Sequence, residues 1–98
     1  ASELEQAFAE IIRRAKLSAR HTVSKQELSV REHMASILRQ LRNVRFIEFY
    51  ELFDETEGIA VVVVHFLALL ELAKETLIEI TQVEAGAPIY IRLTRYHD

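Results

Sequence analysis

Four histidines are the residues of this sequence best suited to metal ligation or proton transfer. They are His21, His33, His65 and His97, and successive members stand 12, 32 and 32 residues apart. Zinc-binding sequences hold their ligands at short, regular spacings such as H-E-x-x-H, and no such spacing occurs here. We therefore expect structural or surface roles for these histidines, and no metal site is predicted.

Motifs for nucleotide binding and nucleophilic catalysis are missing as well. The sequence contains neither G-x-x-x-x-G-K-[ST] nor G-x-G-x-x-G, so no phosphate cradle is expected. No serine stands in a nucleophile elbow. The acidic groups, Glu48 with Glu51 and those of residues 54–57, are expected to be solvated or to cap helices. We predict no catalytic residue, no cofactor and no enzymatic activity.

Length and composition favour one compact domain over residues 1–98. Half of the 98 residues are apolar, which is enough for a core, and only two glycines and one proline interrupt the chain. There is no cysteine, so no disulfide can contribute, which fits a reducing compartment. The sequence starts without Met, and we interpret it as a fragment of a longer protein.

The charge of the chain argues against free nucleic-acid binding. The formal net charge is −3, whereas domains that bind nucleic acid alone are usually basic because they neutralise phosphates. The longest apolar run, residues 59–70 interrupted by His65, is far shorter than the roughly 20 residues that span a bilayer. No signal peptide is visible. A cytoplasmic protein without membrane contact is predicted.

Three helices are predicted from apolar spacing and from their first residues. Ser2 with Glu5 forms a capping-box pattern, and apolar residues at helical spacing predict a first helix over residues 2–17. A second capping box at residues 29–32 opens a helix that ends near Asn43. Acidic residues 54–57 precede a third helix over about 56–76.

The remaining segments predict strands and a connector. Residues 78–82 and 89–93 alternate with period two around a turn at 85–88, which predicts an antiparallel hairpin. Residues 21–23 are a short β-prone stretch, and 45–53 are interpreted as a connector followed by one or two helical turns. Three helices followed by a β-hairpin are the order of elements in a winged-helix domain. The predicted fold is therefore α+β and mostly helical, a three-helix core with a two-stranded carboxy-terminal wing.

One core is predicted from the three amphipathic faces and one strand. Its expected members are Val30, Met34, Ile37, Leu38, Leu41, Phe49, Phe53, Val63, Phe66, Leu70, Ile78 and Ile80.

The third helix is apolar on two sides, which is unusual for a surface helix. One side, predicted to face the core, gathers Ile59, Val62, Val63, Phe66, Leu70, Ala73 and Leu77. The other side carries Val61, Val64, Ala68 and Leu72. A helix of this kind is either buried on both sides or binds something. The first helix could cover Val61 and Val64, whereas Ala68 and Leu72 are expected to face a partner.

A DNA-binding winged-helix regulator is the alternative interpretation. Such proteins carry Arg, Lys, Asn or Gln on the outward side of the third helix, where this chain has Lys74 as its only cation. Basic residues elsewhere keep the alternative open, namely Arg13, Arg14, Lys16, Arg20, Arg39, Arg42 and Arg45. Any DNA contact is expected from the Arg13–Arg20 cluster, without sequence preference and sensitive to salt.

Three sequence elements resemble a known family. They are residues 29–34 (SVREHM), 49–53 (FYELF) and 62–72 (VVVHFLALLEL), followed by Gln82 and residues 89–91 of the hairpin. In this order they resemble the carboxy-terminal winged-helix domain of the bacterial kleisins of the ScpA family. The resemblance covers nearly the whole chain after Arg20.

The resemblance implies a non-catalytic binding function. Such a domain binds the ATPase head of an SMC protein and closes the ring that organises chromosomes during condensation and segregation. ScpB would bind a segment of the longer protein that is expected to be absent here. DNA would be contacted only indirectly, through the complex, in a cytoplasmic protein associated with the nucleoid.

Six residues are predicted to form the contact with the SMC head. Ala68, Leu69, Leu72 and Glu75 are chosen because they extend the second apolar stripe of the third helix. Tyr90 and Arg92 are chosen because an exposed strand edge can add to a partner sheet. Leu72 is the expected anchor. A Lys at this position is expected to weaken binding and to leave the fold intact.

Overall fold

The first helix is built as its sequence predicts. A computed structural model describes residues 2–18 and 28–95, and α1 runs over Glu3–Leu17. Ser2 Oγ accepts a hydrogen bond from the backbone N–H of Glu5 at 3.1 Å, and the Glu5 carboxylate accepts from the Ser2 N–H at 3.1 Å. This reciprocal pair is the predicted capping box, and it satisfies two donors at the helix start.

The second helix, α2, runs over Val30–Leu41 and also begins at a serine. Ser29 Oγ accepts from the N–H of Glu32 at 3.2 Å, which fixes the start of α2 where the sequence predicts it. The helix ends at Leu41, slightly before the predicted end near Asn43. The β-prone stretch at residues 21–23 lies outside the described residues.

A short strand and two single turns connect α2 to α3. The strand β1 is Ile47–Glu48, and two 3₁₀ helices follow at Phe49–Leu52 and Glu55–Glu57. The helix α3 covers Ile59–Lys74. It begins later than predicted because Gly58 has φ 98°, a left-handed value that a helix cannot continue through. The strand β1 was predicted only as a connector.

The predicted hairpin is confirmed and belongs to a three-stranded antiparallel sheet. Its strands are β2, Ile78–Gln82, and β3, Ile89–Leu93, and the strand order is β1-β3-β2. Ile91 of β3 pairs with Ile47 on one side and Ile80 on the other. The mostly helical α+β winged-helix fold is therefore confirmed, with β1 as an additional strand.

The core lies between the three helices and the apolar face of the sheet. Its largest fully buried side chains are Phe49, Ile11, Ile37, Leu41, Leu69, Leu72, Ile91 and Val62. The helix α1 joins this core through Phe8, whose ring stacks on Phe66 of α3 with centroids 3.9 Å apart. Phe53 packs beside Phe8 with centroids 6.1 Å apart, so aromatic contacts tie α1 to both α3 and the 3₁₀ segment.

Most of the predicted core residues lie in or against the core, and two do not. Those that are buried as predicted are Ile37, Leu41, Phe49, Phe53 and Ile78. Those that are partly buried and pack against the core are Val30, Met34, Leu38, Phe66 and Ile80. Leu70 is 38% exposed, and Val63 is partly buried but outside the core cluster, so the assignment of these two residues to the core was wrong. Within the described ranges, no helix combines the length and apolar character needed to cross a bilayer.

Candidate partner-binding surface

The helix α3 is rotated about its axis relative to the sequence prediction. Val62 is buried and Phe66 packs against the core as predicted, whereas Ile59 and Leu77, also predicted to face the core, are 39% and 36% exposed. Ala68, Leu69 and Leu72 are each 0% exposed, so their assignment to a partner-facing side was wrong. His65 lies on the same buried side and contacts His33 of α2, which shows that α2 covers this side. The error arose because α3 is apolar on both sides, and helical spacing alone cannot decide which side faces inward.

The opposite side of α3 is exposed and still apolar. It carries Ile59, Ala60, Val63, Leu67 and Leu70, which we call the α3 outward face. Leu67 is 48% exposed, and Ile59 and Leu70 are 39% and 38% exposed. Apolar side chains exposed together in this way are typical of surfaces that bind another protein.

Charged residues of α3 could have identified this face from the sequence. Residues 60, 63, 67, 70 and 74 repeat at helical spacing, and the last of them is the exposed Lys74. The buried side contains His65 but no charged residue of the Asp, Glu, Lys or Arg types. A stripe that ends in a lysine was therefore the better candidate for the outward face.

Glu75 is exposed, as predicted, at the carboxy-terminal end of α3. A hydrogen bond with the Glu71 side chain raises the pKa of the Glu75 carboxyl. Both acids line an open groove with Val30, Arg31 and Met34 of α2. Glu75 thus contributes an acidic border next to the α3 outward face.

Tyr90 and Arg92 lie on the outer face of the sheet. The Arg92 guanidinium forms an ion pair with Glu79 of β2, with Nη2 and Oε1 2.7 Å apart. The Tyr90 ring meets Phe46 edge to face, with centroids 4.6 Å apart. Their strand β3 is central in the sheet, so the edges that a partner strand could extend are those of β1 and β2 and not that of β3. The six predicted residues therefore occupy three settings, the core, the end of α3 and the sheet.

Two of the arginines in the basic cluster of α1, Arg13 and Arg14, are paired with acids. Glu10 accepts hydrogen bonds from Arg13 at 2.6 Å and from Arg14 at 3.0 Å, and these bonds lower the pKa of Glu10 to about 2. Arg14 also lies 3.8 Å from Glu55 and stands 4.6 Å over the Tyr50 ring. Arg20 lies outside the described residues. These contacts weaken the case for DNA binding through this cluster.

Metal ligation has no support in the part of the chain that the structure describes. Within residues 2–18 and 28–95, no three or more His, Cys, Asp or Glu side chains are grouped so that they could hold an ion.

The fold and the α3 outward face define a winged-helix domain whose third helix offers apolar contacts in place of base-reading side chains. A family model described as "Segregation and condensation protein ScpA" matches residues 2–94. The chain therefore belongs to the ScpA family.

Individual relatives agree with this assignment. The chain is similar to "Segregation and condensation protein A" of Xylella fastidiosa strain 9a5c, with 42% identity over 95 residues, which are 97% of this chain and 32% of the relative. The protein of that name from Coxiella burnetii strain RSA 493 is 40% identical over 90 residues, 92% of this chain and 34% of the relative. The one from Listeria monocytogenes serotype 4a strain HCC23 is 41% identical over 96 residues, with shares of 93% and 38%. The chain thus spans about a third of the length of these relatives.

Proposed function

We propose that this chain is the carboxy-terminal winged-helix domain of a longer ScpA protein and that it binds the ATPase head of an SMC protein. The observation that carries the proposal is the α3 outward face, where Leu67 and Leu70 are exposed in a family associated with segregation and condensation. This face occupies the position from which a winged helix normally reads DNA. Here it offers a partner apolar side chains.

Burial of this face would supply the binding free energy. Apolar area removed from water contributes about 25 cal/mol per Å², and a few central side chains usually carry most of the energy of an interface. Leu67 is the more exposed of the two leucines and lies near the middle of α3, so it is the proposed anchor.

The role of the domain in this proposal is mechanical. It anchors one end of the kleisin on an SMC head and so helps to close a ring that entraps DNA in the cytoplasm. The chain is non-catalytic in this scheme, and ATP hydrolysis belongs to the SMC partner. ScpB binds another segment of the full-length protein.

Sequence-specific duplex recognition is the less favoured function. Base edges in the major groove are read by Arg, Lys, Asn or Gln. Among the 16 residues of α3, Lys74 in the last turn is the only one of these types. The outward face would place Leu67 and Leu70 against a phosphate-lined groove.

The test is capture of the chain by an immobilised SMC head. Leu67→Lys and Leu70→Lys place a charge in the proposed interface and are expected to weaken binding by at least about 2 kcal/mol. The matched control is Val44→Lys, because Val44 is 49% exposed and lies in the turn after α2, outside the α3 outward face. Circular dichroism checks that each variant folds. Capture of both leucine variants at the level of the native chain would contradict the proposal.

Glu75, Tyr90 and Arg92 remain proposed as further contacts with the head. Their alanine variants separate two surfaces, the end of α3 and the outer face of the sheet. If Tyr90→Ala and Arg92→Ala abolish capture while Leu67→Lys leaves it intact, the sheet and not the α3 outward face is the interface.

A further inference from the structure

Three arginines after the middle of α2 lack acidic partners. Arg39, Arg42 and Arg45 are all exposed, and none forms an ion pair with any residue of the described ranges. Arg13, Arg14 and Arg92, in contrast, each form an ion pair with a glutamate. Lys16, Arg31, Lys74 and Arg95 are unpaired as well, but among the described cations only Arg39, Arg42 and Arg45 form an unpaired group close together in sequence, where α2 ends and β1 begins.

An exposed aromatic residue is the next residue in the chain after these arginines. Phe46 follows Arg45 and is 51% exposed. Its ring is held by an edge-to-face contact with Tyr90, at 4.6 Å between centroids and 63° between planes. A ring supported on one side and open to solvent on the other can stack with a planar group.

The carboxylate of Glu51, an acid that follows this patch in sequence, is engaged in a helix cap. The backbone N–H of Glu48 donates to the Glu51 carboxylate at 3.3 Å, which caps the first 3₁₀ helix. Helix dipole stabilisation explains one or two cations at the end of α2. It does not explain a third arginine beyond the helix or an exposed phenylalanine next to it.

We propose that Arg39, Arg42, Arg45 and Phe46 form a binding site for single-stranded nucleic acid. Arginine guanidinium groups match the oxygen geometry of phosphates and can bind them with paired hydrogen bonds. Proteins that bind single strands combine such cations with exposed aromatic side chains on which unpaired bases stack. The bases of a duplex are already stacked on one another and would leave the exposed ring unused. An acidic protein surface could bind the arginines but would not need the ring. This site departs from the expectation that DNA is held only indirectly, through the complex.

Three phosphate contacts predict weak, salt-dependent binding. For single strands the logarithm of the binding constant falls with the logarithm of salt concentration by about 0.7 per phosphate neutralised, hence by about 2 for three. The site does not depend on the α3 outward face, so it can fail or succeed independently of binding to the SMC head.

The test is a fluorescence anisotropy titration of a labelled oligothymidylate at several salt concentrations. The triple variant Arg39→Gln, Arg42→Gln, Arg45→Gln is expected to weaken binding at least about tenfold at low salt and to reduce the salt slope by about 2. The control variant Arg13→Gln, Arg14→Gln, Lys16→Gln also removes three positive charges. It is expected to change the affinity less than about twofold, because Arg13 and Arg14 are already paired with Glu10.

Phe46→Ala tests the stacking contribution separately. It is expected to weaken single-strand binding at least about fivefold, because base stacking contributes about 1–3 kcal/mol. The salt slope should stay unchanged, because no charge is removed. Circular dichroism verifies folding, and Arg42→Gln alone replaces the triple variant if that variant unfolds.

Three outcomes would overturn the site. Equal losses in the two triple variants would show that only net charge matters. Tighter binding to duplex than to single strands, unaffected by Phe46→Ala, would remove the stacking argument. If the variant Arg39→Gln, Arg42→Gln, Arg45→Gln is no longer captured by the SMC head but still binds single strands as the native chain does, the arginines contact an acidic protein surface.

Discussion

The Nδ1 atoms of His33 and His65 lie 2.8 Å apart and join α2 to α3 through a hydrogen bond. One ring must donate and the other accept, so the two Nδ1 atoms cannot both carry a proton in this geometry. His65 is only 8% exposed and packs against the Phe53 ring at 5.4 Å between centroids. The pair is therefore a polar contact inside the core and makes the fold sensitive to pH.

The stability of the chain should fall between pH 6.5 and pH 4 because of His65. Burial, together with the charge of His33, lowers the pKa of His65 to about 4 from its ordinary value of 6.5. In this window the unfolded chain takes up a proton that the folded chain does not. The contribution of His65 to folding is therefore fully present above about pH 6.5 and is lost as the pH falls toward 4. Asp54 and Glu57, which line a small cavity beside His65, add acidic groups on the same side.

Two measurements check this prediction. Nuclear magnetic resonance titration of the His65 ring should show it still neutral at pH 5, where an ordinary histidine is mostly protonated. Urea unfolding should give a lower free energy at pH 5 than at pH 7, and His65→Gln should reduce that difference. A ring that titrates near 6.5, or an unchanged pH difference in His65→Gln, would show that His65 is solvated in solution.

Removal of the Glu3 carboxylate should loosen the contact between α1 and the hairpin turn. Glu3 Oε1 accepts from Gln82 Nε2 at 2.8 Å and from the Gly86 N–H at 3.0 Å, and these bonds lower the pKa of Glu3. In Glu3→Ala the Gly86 N–H loses its acceptor and should exchange with solvent several-fold faster. Amide hydrogen exchange measures this directly. Glu84→Ala removes another exposed acid near the turn and should leave the exchange rate unchanged; equal rates in both variants would refute the contact.

The sequence predicts the element types well because each signal is local. Serines with glutamates three residues later fix the starts of α1 and α2, and alternation over 78–82 and 89–93 fixes the hairpin. The strand β1 has no such signal, because its two residues become a strand only by pairing with Ile91 and Tyr90, far along the chain. Long-range pairing of this kind cannot be deduced from local spacing.

The candidate surface was predictable in character but not in position. The sequence shows that α3 has more apolar surface than one core face needs, and this conclusion holds in the structure. Which side is inward depends on how α2 and α1 pack, as in the contacts of His65 with His33 and of Phe66 with Phe8. Those contacts are tertiary and leave no periodic trace. Lys74 was the local clue that could have reversed the assignment.

Leu72 and Leu67 give the sharpest test of the orientation of α3, because they are the same residue type in one helix. Leu72 is 0% exposed, so Leu72→Ala should lower the free energy of unfolding by about 2–5 kcal/mol, the usual cost of a core cavity. Leu67 is 48% exposed, so Leu67→Ala should change it by no more than about 0.5 kcal/mol. Leu72→Lys should unfold the chain, in contrast to the expectation from sequence that the fold would survive. Urea unfolding followed by circular dichroism measures all three variants. Equal destabilisation by the two alanine variants, or a folded Leu72→Lys chain, would show that α3 is oriented in solution as the sequence alone suggested.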